Sequence, residues 1–221
     1  MIAAGATALV LAAPPAALAA SPTTVTVRVE GRTRTLLAPT VVHTHSGWIT
    51  AGNVAKGRCP ATSGQGALDV ATRHRWAGTF SDSLGSYFIK KILGETDNGP
   101  KLYWSIFVNN RSASTGACEI KLHRGDQLLF AAATYPSYPL ALEAPAAATV
   151  GKTFDVTVVY YNAKGTPKPL AGATVSVNGH SGKTDSHGVV PLTPGSAGTF
   201  TLNADDAGYI RAAPLRLTVT G

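Results

Sequence analysis

Only two cysteines, Cys59 and Cys118, occur in 221 residues, and they do not form a Cys-x-x-Cys pair. A reactive-thiol function therefore lacks its usual motif. Beyond residue 20 no run reaches about 18 apolar residues, so no later segment spans a bilayer as a helix. The chain has no heptads and no Gly-X-Y period, which excludes fibrous classes. It also lacks a Gly-x-Ser-x-Gly elbow, a Ser-x-x-Lys pair and a His-Glu-x-x-His helix. Glu95–Gly99 offers oxygen ligands without full calcium-loop spacing. Carboxylates are scarce, 12 Asp and Glu against 19 Lys and Arg, and the formal net charge is +7.

What is present begins with an uncharged run. Met1–Ala20 is almost entirely Ala, Leu, Val, Ile and Pro, and ends in Ala17-Leu18-Ala19. This small-x-small pattern is that of a signal-peptidase site. Residues 1–20 are thus expected to be a cleaved leader, and the mature protein to be secreted, extracellular and without a membrane span. The 44% apolar content is raised by that leader. In an oxidising compartment two cysteines in one domain usually pair. A Cys59–Cys118 bond would close a long loop and contribute about 4 kcal/mol in the chain-entropy model.

The pattern after the leader divides near Tyr135-Pro136-Ser137-Tyr138-Pro139, where prolines favour extended chain and stop helices. Residues 21–134 read as mixed α and β. Thr24–Glu30 alternates, which puts Val25, Val27 and Val29 on one face of a strand. Leu36–Val42 is a returning strand interrupted at Pro39. Gly66–Arg73 is the best helix, with Ser63 as its cap. Tyr87–Leu93 fits either helix or strand. Leu102–Val108 reads as a buried strand, Asn109-Asn110 and Gly125-Asp126 as turns, and Gln127–Ala133 as the last strand. Residues 140–221 read as all β: alternating runs at Thr153–Tyr160 and Ala173–Val177, turns at Asn178-Gly179 and Asp185–Gly188, and strands at Gly198–Asn203 and Leu215–Thr220. Short strands with regular turns suggest a sandwich.

These motifs carry a resemblance. Thr24-Val25-Thr26-Val27-Arg28-Val29-Glu30-Gly31, then Tyr103-Trp104-Ser105-Ile106-Phe107-Val108-Asn109, then Leu122-His123-Arg124-Gly125-Asp126 resemble, in that order, the transcobalamin C-terminal-like domain family, whose function in bacteria is largely unknown. The resemblance implies a β-grasp-like sheet with one helix over residues 21–134. It also implies structural roles for Trp104, Asn109, Gly125 and Asp126. In vertebrate vitamin B12 carriers a related domain forms one lid of the cobalamin site, alongside a helical barrel that this sequence lacks. Cobalamin is therefore a cofactor by resemblance alone, and the residues themselves point to none. Gly172–Val177, Thr184–Val189 and Gly198-Thr199-Phe200 resemble bacterial Ig-like, prealbumin-type modules. The expected fold class is mostly β: an α+β first domain followed by an Ig-like β-sandwich at residues 140–221.

Histidines, carboxylates and tryptophans are the candidate carriers of chemistry. His43 and His45 would share a strand face and could grip a metal, but no third ligand is near in sequence. His180, Asp185 and His187 could meet across a hairpin, although turn chemistry explains them better. Asp82 and Asp97 could pair as acid and base, yet nothing in their spacing selects them. No catalytic residue and no metal site is expected. Trp48 and Trp76 sit in polar settings, where either ring could be exposed to a sugar or a corrin face, and they are the candidate ligand contacts. Residues 21–141 hold 13 Lys and Arg against 7 Asp and Glu, whereas residues 142–221 hold 6 against 5. A basic first half suits an anionic cell-envelope polymer. Nucleic acid is not expected, because no nucleic-acid motif is present. The expectation is a secreted, non-catalytic protein that binds a small ligand or an envelope component. The alternatives are a corrinoid binder, a structural adhesion stalk and a secreted hydrolase.

Overall fold

The computed structural model describes residues 21–51, 57–97, 102–178 and 180–221. The leader lies outside the described residues. The first half contains β1 (Thr24–Glu30), β2 (Thr35–His43), β3 (Trp48–Ile49), β4 (Cys59–Pro60), α1 (Gly64–Thr72), β5 (Trp76–Ser81), β6 (Ser86–Ile92), β7 (Glu95–Thr96), β8 (Leu102–Val108), β9 (Arg111–Ser112) and β10 (Gln127–Thr134). The main sheet has the order β2-β1-β10-β8-β9. β1 and β10 run parallel and the other pairs antiparallel. A parallel pair needs a long crossover, and α1 lies on it.

The alternation of β1 carries Val25, Val27 and Val29 into the core under α1 with Leu68, Leu128 and Phe130. In β2, Thr40 pairs with Val27 and Leu37 with Val29, so two residues face one across a bulge. Pro39 sits in that bulge on an edge strand, where its missing N–H costs little. The helix starts two residues earlier than its apolar pattern indicated. Ser63 Oγ caps it by accepting from the Gly66 amide, and Arg73 closes it in the left-handed conformation. The ambiguous Tyr87–Leu93 run is strand, because it pairs with β5 on one side and β7 on the other. Cys59 and Cys118 form a disulfide 59 residues apart in sequence, which ties β4 to the segment before β10.

The second half contains β11 (Tyr138–Glu143), β12 (Ala147–Thr149), β13 (Phe154–Tyr161), β14 (Pro167–Pro169), β15 (Thr174–Val177), β16 (His180–Lys183), β17 (Val189–Leu192), β18 (Gly198–Asp205), β19 (Tyr209–Ile210) and β20 (Leu215–Thr220). One sheet runs β14-β13-β11-β19 with β17 also on β13, and the other runs β12-β20-β18-β15-β16. Leu140, Val156 and Val158 from the first sheet share a core with Val175, Leu202 and Leu217 from the second. The protein is mostly β, and among the described residues α1 is its one helix. No described helix is long and apolar enough to cross a membrane.

The two halves meet through a third cluster. Phe107, Leu129, Ala131 and Ala133, on the face of the main sheet away from α1, pack with Ile210 of β19. Beside it lies an ionic knot. Arg28 Nη1 donates to Glu30 Oε1 at 3.1 Å and to the Arg211 carbonyl at 3.0 Å. Arg211 Nη1 donates to Glu30 Oε2 at 3.0 Å and to the Gly31 carbonyl at 3.1 Å. Thr35 Oγ1 donates to both Glu30 oxygens. Glu30 is 1% exposed. Burial pushes its carboxyl above the usual carboxylate range, against the pull of Arg28 and Arg211.

Candidate functional site

The side chains that carry the family resemblance are engaged in holding the sheet. Asn109 sits at φ 50°, at the end of β8. Its amide donates to Asp126 Oδ1 at 2.8 Å and its carbonyl oxygen accepts from the Gln127 amide at 2.9 Å. Asp126 Oδ2 accepts from the His123 amide at 2.7 Å. Gly125, at φ 89°, donates its amide to the Thr24 carbonyl. These bonds join the ends of β8, β10 and β1. Trp104 is buried, and its Nε1–H has no hydrogen-bond partner among the described residues.

The two candidate tryptophans separate. Trp76 is 6% exposed, so its assignment as a ligand contact is corrected. Its Nε1 donates to the buried Asp69 carboxylate at 2.7 Å, and the Tyr87 ring meets it edge-on at 5.0 Å. Its polar handle and most of its ring are used internally. Trp48 is 58% exposed. The Arg58 guanidinium lies 4.5 Å from its ring centroid, a stacking worth about 0.5–1 kcal/mol at an exposed position. Trp48 pairs with Pro60 and Ile49 with Cys59, so the disulfide anchors the ribbon that carries the ring. Arg58 was not legible as its partner in the sequence, because only the pairing of β3 with β4 brings the two together.

A second feature lies at the end of α1. A notch of about 460 Å³ is lined by Arg75, Trp76, Ala77, Lys91, Leu93 and Gly94. Lys91 sits opposite Ala77 across β5 and β6, and the Arg75 carbonyl accepts from the Leu93 amide at 2.8 Å. Arg73 and His74 adjoin it at φ 53° and 62°. The carboxylates nearby in sequence are engaged elsewhere: Asp69 with Trp76 and His74, Glu95 with Arg32, Asp97 with Lys90. Arg73, Arg75 and Lys91 are exposed and make no ion pair among the described residues.

The remaining candidates do not converge. His43 Nδ1 bonds Thr24 Oγ1 and His45 Nδ1 lies against the Ser46 carbonyl. β2 ends at His43, so the two imidazoles do not share a strand face as expected. Asp97 bonds Lys90, while Asp82 lies in the turn after β5. Asp185 Oδ1 accepts from the His187 and Val189 amides at 2.8 and 3.0 Å, and these two bonds hold its carboxyl below the usual range. His180 lies apart on β16. Among the described residues no group of three or more His, Cys, Asp or Glu could hold a metal ion.

Fold and sites together define a β-rich, disulfide-bonded protein whose first half carries an exposed aromatic–guanidinium face and an unneutralised basic notch. A family model described as a domain of unknown function (DUF4430) matches residues 65–133. That stretch holds α1 from its second residue, the notch, Cys118 and the Asn109–Asp126 lock, and leaves out Trp48 and Cys59. None of the curated proteins matches the chain. Among solved structures, the CARDB domain of a Pyrococcus furiosus protein, in complex with di-metal ions, is 18% identical. The likeness covers 38% of this chain and 93% of that one, with a TM-score of 0.25, and bears on neither fold nor function here.

Proposed function

We propose that this is an exported, non-catalytic protein whose first half binds an anionic polymer of the cell envelope. The observation that carries the reading is the notch at the end of α1, where Arg75 and Lys91 flank a cleft and, with Arg73, have no carboxylate partner among the described residues. Cations left unpaired round a concave surface attract polyanions and focus the field there. The Trp48–Arg58 face offers a second contact, a flat ring for a sugar. Export is supported by the disulfide, a bond that persists in oxidising compartments, and by the leader pattern. The main sheet, a hairpin followed by a helix with the last strand returning parallel to the first, supports a β-grasp-like reading of residues 21–134. Two sheets over one core support an Ig-like reading of residues 140–221. Cobalamin rests on the resemblance alone.

The test is binding of the full mature chain to immobilised polyphosphate and polyglutamate at low and high salt. Arg73→Ala/Arg75→Ala/Lys91→Ala should weaken binding about tenfold or more and flatten its salt dependence. A control removing the same charge from the second half, Lys152→Ala/Lys164→Ala/Lys168→Ala, should change little. Equal losses in the two variants would reduce the reading to net charge and refute the notch.

A further inference from the structure

We infer that the second half holds a separate small-molecule site, at one open end of its two-sheet core, for a free medium-chain acyl carboxylate. A cavity of about 390 Å³ opens there, inside the range of about 300–1,000 Å³ typical of small-molecule sites. Both sheets build it. Phe154 and Leu192 face each other across β13 and β17, while Val177 and Phe200 come from β15 and β18 of the opposite sheet. Leu217, buried, lines it as well. The interior of this core is sealed, with Val156, Val158, Val175 and Leu202 each fully buried. The four wall residues pack against it but remain only partly buried. Two phenylalanines and two aliphatic side chains are thus left half in water around a concave space, and an apolar body placed among them would remove that surface from solvent.

The rim supplies a polar end. Asn178, His180 and Ser196 line the mouth, and their side chains make no hydrogen bond or ion pair among the described residues. A few unspent hydrogen-bonding groups over an apolar pocket fix an amphipathic ligand by its head and its tail. Asn178 and Ser196 are neutral donors, and a ring N–H of His180 can donate to a carboxylate. No carboxylate side chain lines the cavity to repel an anionic head. This combination favours a carboxylate-headed acyl chain over a cationic amphiphile. The site lies on different strands from the basic notch and stands or falls independently of it.

Decanoate titrated calorimetrically into the full mature chain should give saturable one-to-one binding. Gly195 offers a blocking position that spares the core. It lines the mouth, and a Cβ built on it meets nothing within 4 Å. Gly195→Trp should weaken decanoate binding at least tenfold with an unchanged thermal melt. His180→Ala should weaken decanoate several-fold and leave decanol unaffected. Phosphatidylglycerol vesicles form the other arm. Binding to vesicles without binding to free decanoate would overturn the proposal in favour of a membrane contact. Absence of saturation, or undiminished affinity in Gly195→Trp, would overturn it outright, and equal losses of decanoate and decanol in His180→Ala would overturn the head-group assignment. Anion-polymer binding by the Arg73/Arg75/Lys91 notch should be the same in both variants.

Discussion

Gln65 is fully buried in the first turn of α1, and neither its Nε2 nor its Oε1 has a hydrogen-bond partner among the described residues. A buried amide without partners costs stability, whereas an apolar group of similar shape does not. Gln65→Leu should therefore raise stability, by about 1 kcal/mol or more, in a urea melt followed by Trp fluorescence. An unchanged or lower midpoint would mean that an ordered water satisfies the amide. Trp48 and Trp76 teach a related lesson. Both follow polar residues in the sequence, and only their partners distinguish them. The Asp69 carboxylate draws the Trp76 indole inward, while Trp48 keeps an open face and stacks on Arg58. Sequence context could nominate both rings, but it could not say which one a carboxylate seven residues away would capture.

Helix α1 shows where propensity and packing disagree. Glycine in a helix is ordinarily worse than alanine by about 1 kcal/mol, so Gly66→Ala would be expected to stabilise. In this fold a Cβ on Gly66 would overlap the backbone of Ala61, its carbonyl oxygen first. Backbone cannot yield as a flexible side chain can. Gly66→Ala should destabilise by about 2 kcal/mol in thermal or urea unfolding, and a stabilised variant would show that α1 is free to slide. The turn between β16 and β17 gives a pH prediction. Asp185 has its carboxyl held low by the Val189 and His187 amides, so its contribution is present above the ordinary Asp pKa. It is lost as pH falls through the depressed folded value. The amide shifts of His187 and Val189 should titrate together below the usual Asp range, and the Asp185→Asn variant should abolish that titration. A midpoint at or above the ordinary value would contradict the bonded turn. The long strands β1, β2, β8, β10, β13, β18 and β20 and the helix α1 were legible in the sequence, whereas β5, β11 and β17 were not. The β1 alternation, the Ser63 cap and the Asn109-Asn110 and Asp185–Gly188 turns are local signals. The two-residue ribbon of β3 and β4 was not legible, because pairing across a long gap, and not local pattern, defines it.

At the scale of the molecule the Arg28–Glu30–Arg211 knot decides how the halves behave. Breaking a buried ion pair by removing one partner is costly, because the other charge stays buried. Arg211→Ala strips Glu30 of one of its two guanidinium partners and leaves the Gly31 and Arg32 carbonyls without their donor. It should cost about 3 kcal/mol and let the halves move independently, read as a second unfolding transition and as faster proteolysis between Thr134 and Tyr138. A single transition with unchanged cleavage would mean that the Ile210 cluster holds the junction alone. The basic notch and the cavity near His180 belong to different halves, so loosening the junction should leave both binding sites intact.

By itself the sequence determined the mostly β class, the apolar face of β1, the cap and approximate extent of α1, the turns, and the division of charge between the two halves. All of these are set by periodicity, by backbone preference or by composition, which act within a few residues. The tertiary structure alone decided what became of the other face of β1. Arg28 and Glu30 alternate with the core valines, and they are buried against a segment some 180 residues away. Their burial depends on the second half bringing Arg211 and Ile210 onto the sheet, and no local pattern encodes that long-range contact. The same reason separates Trp48 from Trp76 and joins Arg75 to Lys91 in one notch. Which side chains meet is fixed by pairings between distant strands, and the free energy that selects those pairings belongs to the assembled core.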